Sequence, residues 1–295
     1  MKYAEQHPMS MILVGILGIS MSAIFVKYST APSPVTAAYR LCWTVLLMSP
    51  AVFLNPGVRK ELLHIPAKDA LLCCLSGILL AIHFSTWFES LHHTTVSAST
   101  VIVCTEVLWV ALGYCIFLKG HLTGRALLAI AVTFAGSLMI AWSDSSGEGG
   151  HLYGDLLSLV AAIAVGGYTL IGRVMRSSLS TTVYTYIVYC CSAFTLILMT
   201  LGSGYSLWGY GSSGLVVGLC LAVFSTILGH SIFSWCLKYF SPAFVSASKL
   251  CEPVISGIFA ALLFHEIPGP MQLAGSAVIL AGVVYYSVLE ASSAS

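Results

Sequence analysis

The sequence predicts an all-α integral membrane protein, with ten transmembrane helices arranged as two inverted five-helix repeats. Three observations carry that prediction. Only 8% of the 295 residues are charged and 58% are hydrophobic, where a soluble domain carries about a quarter charged residues. The apolar residues gather into ten runs separated by turn-forming residues. Short motifs of the first half return in the second half at matched spacing.

A hydrocarbon core of about 30 Å takes about 20 apolar residues per helix. The runs lie near 9–28, 34–54, 68–89, 95–118, 123–142, 153–172, 181–201, 214–237, 243–265 and 270–289. Ala31-Pro32-Ser33-Pro34 separates the first two, and Asn55-Pro56-Gly57 closes the second. The polar stretch Asp144-Ser145-Ser146-Gly147-Glu148-Gly149-Gly150 divides the chain into units 1–145 and 151–295. Clusters of Gly, Pro, Ser and Asn read as loops because they favour turn backbone angles. The first run has span length and nine more follow, so it reads as a helix and not as a cleaved signal peptide.

An even number of spans puts both termini on one side. With the termini in the cytoplasm, Lys2, Arg59, Lys60, Lys68, Lys119, Arg125, Arg173, Arg176 and Lys238 fall inside. Lys27 and Arg40 fall toward the outside near helix ends, and Lys249 lies within a span. That bias predicts a multi-pass protein of the cell inner (plasma) membrane with cytoplasmic termini. A net charge of +1 excludes the basic surface that nucleic-acid binding needs. The high apolar content excludes a disordered chain. All ten cysteines sit in apolar runs, without the polar-loop placement of a disulfide framework or the spacing of a zinc site. They read as small packing residues, and no metal or cofactor is expected.

The duplication is explicit. Phe84-Ser85 precedes Val96-Ser97-Ala98-Ser99 as Phe233-Ser234 precedes Val245-Ser246-Ala247-Ser248. Cys104-x-x-Val107 matches Cys251-x-x-Val254, and Ala135-Gly136 matches Ala281-Gly282. Five spans per unit is an odd number, so the second unit enters the membrane upside down. Inverted repeats are a common architecture of secondary transporters, with the substrate site near the midplane at the repeat interface.

On these residues the chain resembles the drug/metabolite transporter superfamily, EamA-type permeases, over nearly its whole length. Glu252-Pro253-Val254 with the apolar run ending at Glu266 is similar to the family's ninth helix. Gly229-His230-Ser231-Ile232-Phe233-Ser234-Trp235 resembles its eighth, and Ser22 to Lys27 with Ala38-Tyr39-Arg40 resemble its first two. The resemblance implies a ten-helix fold, cytoplasmic termini, alternating access and export. It does not imply one substrate, since the family moves amino acids, nucleoside-like metabolites, organic cations and drugs. The chain departs from the family at Glu106, where a proline is usual, at Gly120, where an acid is usual, and at Lys249, where an apolar residue is usual.

A charge at mid-bilayer costs at least about 2.5–3.5 kcal/mol and therefore faces a cavity or a partner. Glu106, Lys249 and Glu252 are the candidates, and the repeat alignment brings them toward the pseudo-twofold axis. They read either as a substrate or proton site or as a structural pair of Lys249 with one of the acids. Lys249 and Glu252 are three residues apart, on one helical face. His83 and His230 occupy matching helices and titrate near physiological pH when unperturbed. They read as site residues or as buried neutral histidines. Trp87 shares a face with His83, Trp109 lies three residues from Glu106, and Trp235 lies in the eighth span. An aromatic wall beside an acid suits an amine or an aromatic amino acid. Packing or lipid contact is the plain reading of each aromatic taken singly. Gly214-x-x-x-Gly218 reads as a small-residue packing motif, with internal packing favoured over a dimer contact.

The expected function is secondary transport of a small metabolite, an amino-acid-like zwitterion or an organic amine. Coupling to protons would run through Glu106, Glu252 or a histidine. Carboxylates, which Lys249 would favour, and nucleoside-like metabolites are the alternatives. The phosphate-binding loop of an ATP-driven pump does not occur. An intramembrane enzyme would need a convergent nucleophile and base, and neither His-Glu-x-x-His nor Gly-x-Ser-x-Gly occurs. A channel is separated by saturation and counterflow. The expected partners are a small-molecule substrate and the bilayer, with the chain as a monomer or homodimer.

Overall fold

The computed structural model describes residues 7–94, 99, 102–144, 152–264 and 269–294. Every regular element among them is helical. The first half contains α1 (Pro8–Ser20), α2 (Ser22–Lys27), α3 (Ser33–Phe53), α4 (Pro56–Leu63), α5 (Ala67–His93), α6 (Glu106–Phe117) and α7 (Gly124–Asp144). The second begins with α8 (Leu152–Met175), α9 (Thr181–Gly202) and α10 (Gly211–Cys220). A π-helical segment, Leu221–Ser231, joins α10 to α11 (Ile232–Cys236). Then come α12 (Pro242–Ser248), the 3-10 turn Lys249–Cys251, α13 (Glu252–Phe264) and α14 (Pro270–Ala294).

Local chemistry sets the boundaries. Pro8, Pro34, Pro56 and Pro242 stand in the first turn of their helices, where a missing N–H costs nothing. Ser180 Oγ accepts from Val183 N at 3.3 Å, and Ser241 Oγ accepts from Phe244 N at 3.2 Å, capping α9 and α12. Asn55 Oδ1 caps α4 from Gly57 N at 3.0 Å. This short helix occupies the break between the second and third apolar runs. Glu61 on α4 accepts from Ser180 N at 2.6 Å, which fastens it to the start of α9. Gly204 and Gly209 in the link between α9 and α10, and Gly211 where α10 opens, take positive φ, an arrangement that β-carbons disfavour.

Six helical stretches among the described residues are long and apolar enough to cross a membrane: Pro8–Val26, Ser33–Phe53, Ala67–His93, Leu152–Met175, Thr181–Gly202 and Gly211–Cys236. Their outward faces are apolar, with Leu13, Leu46, Leu71, Phe194 and Leu198 all more than half exposed. Contiguous exposed apolar surface of this extent marks a lipid-facing belt, since water would penalise it.

The principal contacts between halves come in corresponding pairs. α5 runs along α8, and α1 runs along the π segment. α6 packs on α8, and α13 packs on α1. α6 also packs on α12, and equivalent helices meet each other, α3 with α9 and α7 with α14. The repeated glycines explain the last contact. A β-carbon on Gly136 would lie 2.8 Å from the Gly275 carbonyl, and one on Gly282 would collide with Thr133. Gly214 and Gly218 face Ala31 and Tyr39, so their motif packs internally on α3 and the link before it. All ten cysteines are free.

Candidate functional site

Two helices are interrupted at the same place in each half. Thr105 is a turn residue between the helical residues 102–104 and α6, and the 3-10 turn Lys249–Cys251 stands between α12 and α13. The second break has a clear cause. Pro253 has no N–H to give the Lys249 carbonyl, which accepts from Glu252 N instead. Each new helix opens on an acid, Glu106 in α6 and Glu252 in α13. A carboxylate in the first turn is favoured by the unpaired N–H groups there. Placement at interrupted helices is how a bilayer protein brings charge and backbone dipoles to a cavity.

The two acids line one cavity of about 580 Å³, including its open mouth. Lys249, His83, His230, Trp87 and Arg40 line it as well. Lys249 Nζ donates to Glu106 Oε1 at 2.8 Å, and the same oxygen accepts from Ser246 Oγ at 2.9 Å and Thr169 Oγ1 at 3.1 Å. Glu106 is 7% exposed, so this pair is buried and hydrogen-bonded, as a low-dielectric setting requires. Lys249 Nζ also lies 5.5 Å from the Phe233 ring centroid. Lys249 therefore pairs across the halves with Glu106, and the Glu252 three residues along its own chain is not its partner.

His83 and His230 approach with ring centroids 6.4 Å apart. His83 Nδ1 is 3.1 Å from the Ala161 carbonyl and its ring stacks on Trp87 at 5.9 Å. His230 sits on the π segment, whose wide turn also directs Thr226 inward, and π segments of this kind cluster at functional sites. Beside the cavity, Tyr168 hydrogen-bonds Ser234 at 2.8 Å and Tyr189 hydrogen-bonds Ser231 at 3.0 Å. Tyr184 reaches Ser76 at 2.8 Å and Tyr186 reaches Ser49 at 3.0 Å. These tyrosines of α9 are satisfied packing residues.

Three sequence expectations are corrected. Trp109 does not share the cavity with Glu106. Its side chain is 37% exposed and its Nε1 donates to Thr105 Oγ1 at 3.3 Å. Three residues along a helix still leaves two side chains about 60° apart, which is enough for Glu106 to face the cavity while Trp109 turns outward. Trp235 does not line the cavity either, and its ring packs tilted against Tyr239, with centroids 4.4 Å apart. Arg40, which the sequence reading placed near a helix end, is 1% exposed and lines the cavity. Its guanidinium lies 4.1 Å from the Phe84 ring centroid. The signal was present: Pro34 fixes the start of α3, so Arg40 lies nearly two turns in, flanked by Ala37, Ala38 and Tyr39.

The comparisons with known proteins agree with this arrangement. Residues 8–142 and 152–288 each match the EamA-like transporter family. The chain is 23% identical over 266 residues to a Bacillus subtilis protein named "uncharacterized transporter YwfM", covering 87% of this chain and 86% of that one. It is 29% identical over 197 residues to a Salmonella typhimurium protein named "probable amino-acid metabolite efflux pump", covering 63% of this chain and 65% of that one. A crystal structure of a protein 16% identical superposes with a TM-score of 0.79 over 98% of this chain and 99% of its own, which shows the shared fold. Two matched halves, an apolar outer surface and a charged cavity between them are thus features of a membrane transporter, and the chain belongs to the EamA-like transporter family.

Proposed function

We propose that the protein is a secondary transporter of small amino-acid-like zwitterions or organic amines that works by alternating access. In this reading ten helices cross the membrane, and units 1–145 and 151–295 are inverted repeats that rock about a central site. The corresponding contacts of the two halves support the inversion. The observation that carries the function is the cavity, where both interrupted helices bring a glutamate inward beside Lys249, His83, His230 and Trp87. Charge is retained at membrane depth only at a cost, and the common reason is a polar cargo or proton that passes there. Protons would couple through Glu106, Glu252 or the histidines. The protein would lie in the cell inner membrane with both termini cytoplasmic and move substrate outward. The relative named as an amino-acid metabolite efflux pump supports that direction and class.

A ligand thermostability screen on the detergent-purified chain tests the substrate class, with amino acids, amines, carboxylates and nucleosides at millimolar concentration. An amino acid or amine at 100 times its Kd is expected to stabilise by about 2.7 kcal/mol, a clear rise in Tm. The same compound should then show saturable counterflow in proteoliposomes and emerge chemically intact. Hits confined to carboxylates or nucleosides overturn the substrate class. A flux without saturation or counterflow overturns the carrier mechanism.

A further inference from the structure

The cavity is lined by two cations and two acids, Arg40, Lys249, Glu106 and Glu252. One cation–acid pair is closed, Lys249 with Glu106 at 2.8 Å. The other two charges are not paired. Among the described residues the only other ion pair is Glu89 with His93, and Glu252 has neither an ion pair nor a hydrogen bond from its side chain. Arg40 donates through Nε to Thr226 Oγ1 at 2.7 Å and through Nη1 to Ser22 Oγ at 3.3 Å. Its Nη2, with two N–H groups, is buried without a partner among the described residues.

Two further buried nitrogens share that condition, Trp87 Nε1 and His230 Nδ1. All three residues line the same cavity and come from different elements, α3, α5 and the π segment. A continuous aromatic cluster links them. Arg40 lies over Phe84, Phe84 meets His230 edge-on at 5.3 Å, and His230 meets His83, which stacks on Trp87. A structural anchor would explain Nε and Nη1 of Arg40. It does not explain Nη2, the missing counter-charge, or the two neighbouring orphan nitrogens. Unsatisfied buried donors are rare and call for an acceptor.

Guanidinium and indole nitrogens donate only, so the group they fit is rich in lone pairs and negative. A carboxylate meets both requirements and suits the fork of an arginine. The four charges sum to zero, which favours a ligand that is neutral overall but split into a negative and a positive end.

We propose that Arg40 and Glu252 are the two poles of a zwitterion subsite. The substrate carboxylate accepts from Arg40 Nη2, Trp87 Nε1 and the Nδ1–H tautomer of His230, and the substrate ammonium donates to Glu252. The Lys249–Glu106 pair stays closed and neutral beside it. This rests on the transporter reading above and narrows its cargo to compounds with both an amine and a carboxylate.

The test uses matched probes on the full chain in detergent. Phenylalanine, leucine and serine are each compared with the carboxamide and with the decarboxylated amine (phenethylamine, isoamylamine and ethanolamine), by thermal shift and titration. At least one amino acid is expected to bind at least tenfold tighter than both its amide and its amine. Arg40→Gln should abolish that preference while amine binding persists. Glu252→Gln should weaken amino acid and amine alike, at least tenfold. Trp87→Phe, which removes only the indole N–H from the set, should reduce the preference partially. A merely structural Arg40 would lower stability without changing the ratio between acid and amine. The comparison on wild type needs no variant, and Arg40→Lys keeps the charge without the fork should Arg40→Gln fail to fold. Equal binding of acid and amide by wild type overturns the subsite. Binding of amines alone overturns it and leaves the transporter reading intact. Saturable counterflow of some other class, with no response to any of these probes, overturns both the subsite and the proposed substrate class.

Discussion

Replacing Glu106 by alanine is expected to cost about 3–5 kcal/mol of stability, because it leaves the Lys249 ammonium buried without its counter-charge. The pair is made across the two halves at 2.8 Å, and both side chains are close to nine-tenths buried. Ser246 and Thr169 lose their acceptor in the same step. The magnitude belongs to the orphaned charge and not to the net worth of the pair. Glu106→Ala combined with Lys249→Met should therefore regain more than half of the loss, since no buried charge remains. Denaturant unfolding of the four proteins of this cycle in mixed micelles measures the coupling. Additive losses in the double variant would show that the two charges are held independently and would remove the pair from the account of stability.

Gly18→Ala should lower Tm sharply and weaken ligand binding as well. A β-carbon at Gly18 would lie 2.6 Å from the Phe224 carbonyl oxygen and 2.9 Å from Gly229 N. Both are backbone atoms of the π segment, so no side-chain rotation relieves the overlap. α1 must move off the helix that carries Thr226 and His230, and Ile19 and Ser22 move with it at the cavity wall. Overpacking of this kind costs roughly 1–3 kcal/mol, and more where backbones are in contact. Gly124→Ala is the control, because a β-carbon there meets nothing within 4 Å and the position opens a helix. Its expected effect is neutral to stabilising by up to about 1 kcal/mol. Equal losses at Gly18 and Gly124 would mean that the close approach of α1 is not what holds this face together.

The cavity residues differ in how plainly the sequence announced them. Glu106, Lys249 and Glu252 stand out because a charge within an apolar run is costly wherever it faces lipid, so composition alone singles them out. His83 and His230 follow from their matching helices. Arg40 is as visible as the others, but its place in an apolar run reads as near a helix end, where a long side chain can snorkel to the headgroups. Only the helix start at Pro34 contradicts that assignment. Trp109 and Trp235 fail in the opposite way. An aromatic residue is at home in a core, a cavity wall or lipid, so spacing along a helix does not choose among the three.

By itself the sequence determined the all-helical class, most of the helical runs and the duplication, because hydropathy and repeated motifs are local properties written residue by residue. Loop chemistry likewise set where most helices begin. The tertiary structure decided what locality does not contain. It chose Glu106, 143 residues away, over Glu252, three residues away, as the partner of Lys249, since only packing across the halves fixes a distance of 2.8 Å. It turned Arg40 inward, because α3 starts at Ser33 and packs this stretch against the second half, and it turned Trp109 outward, because packing on α8 decides which side of α6 faces the cavity.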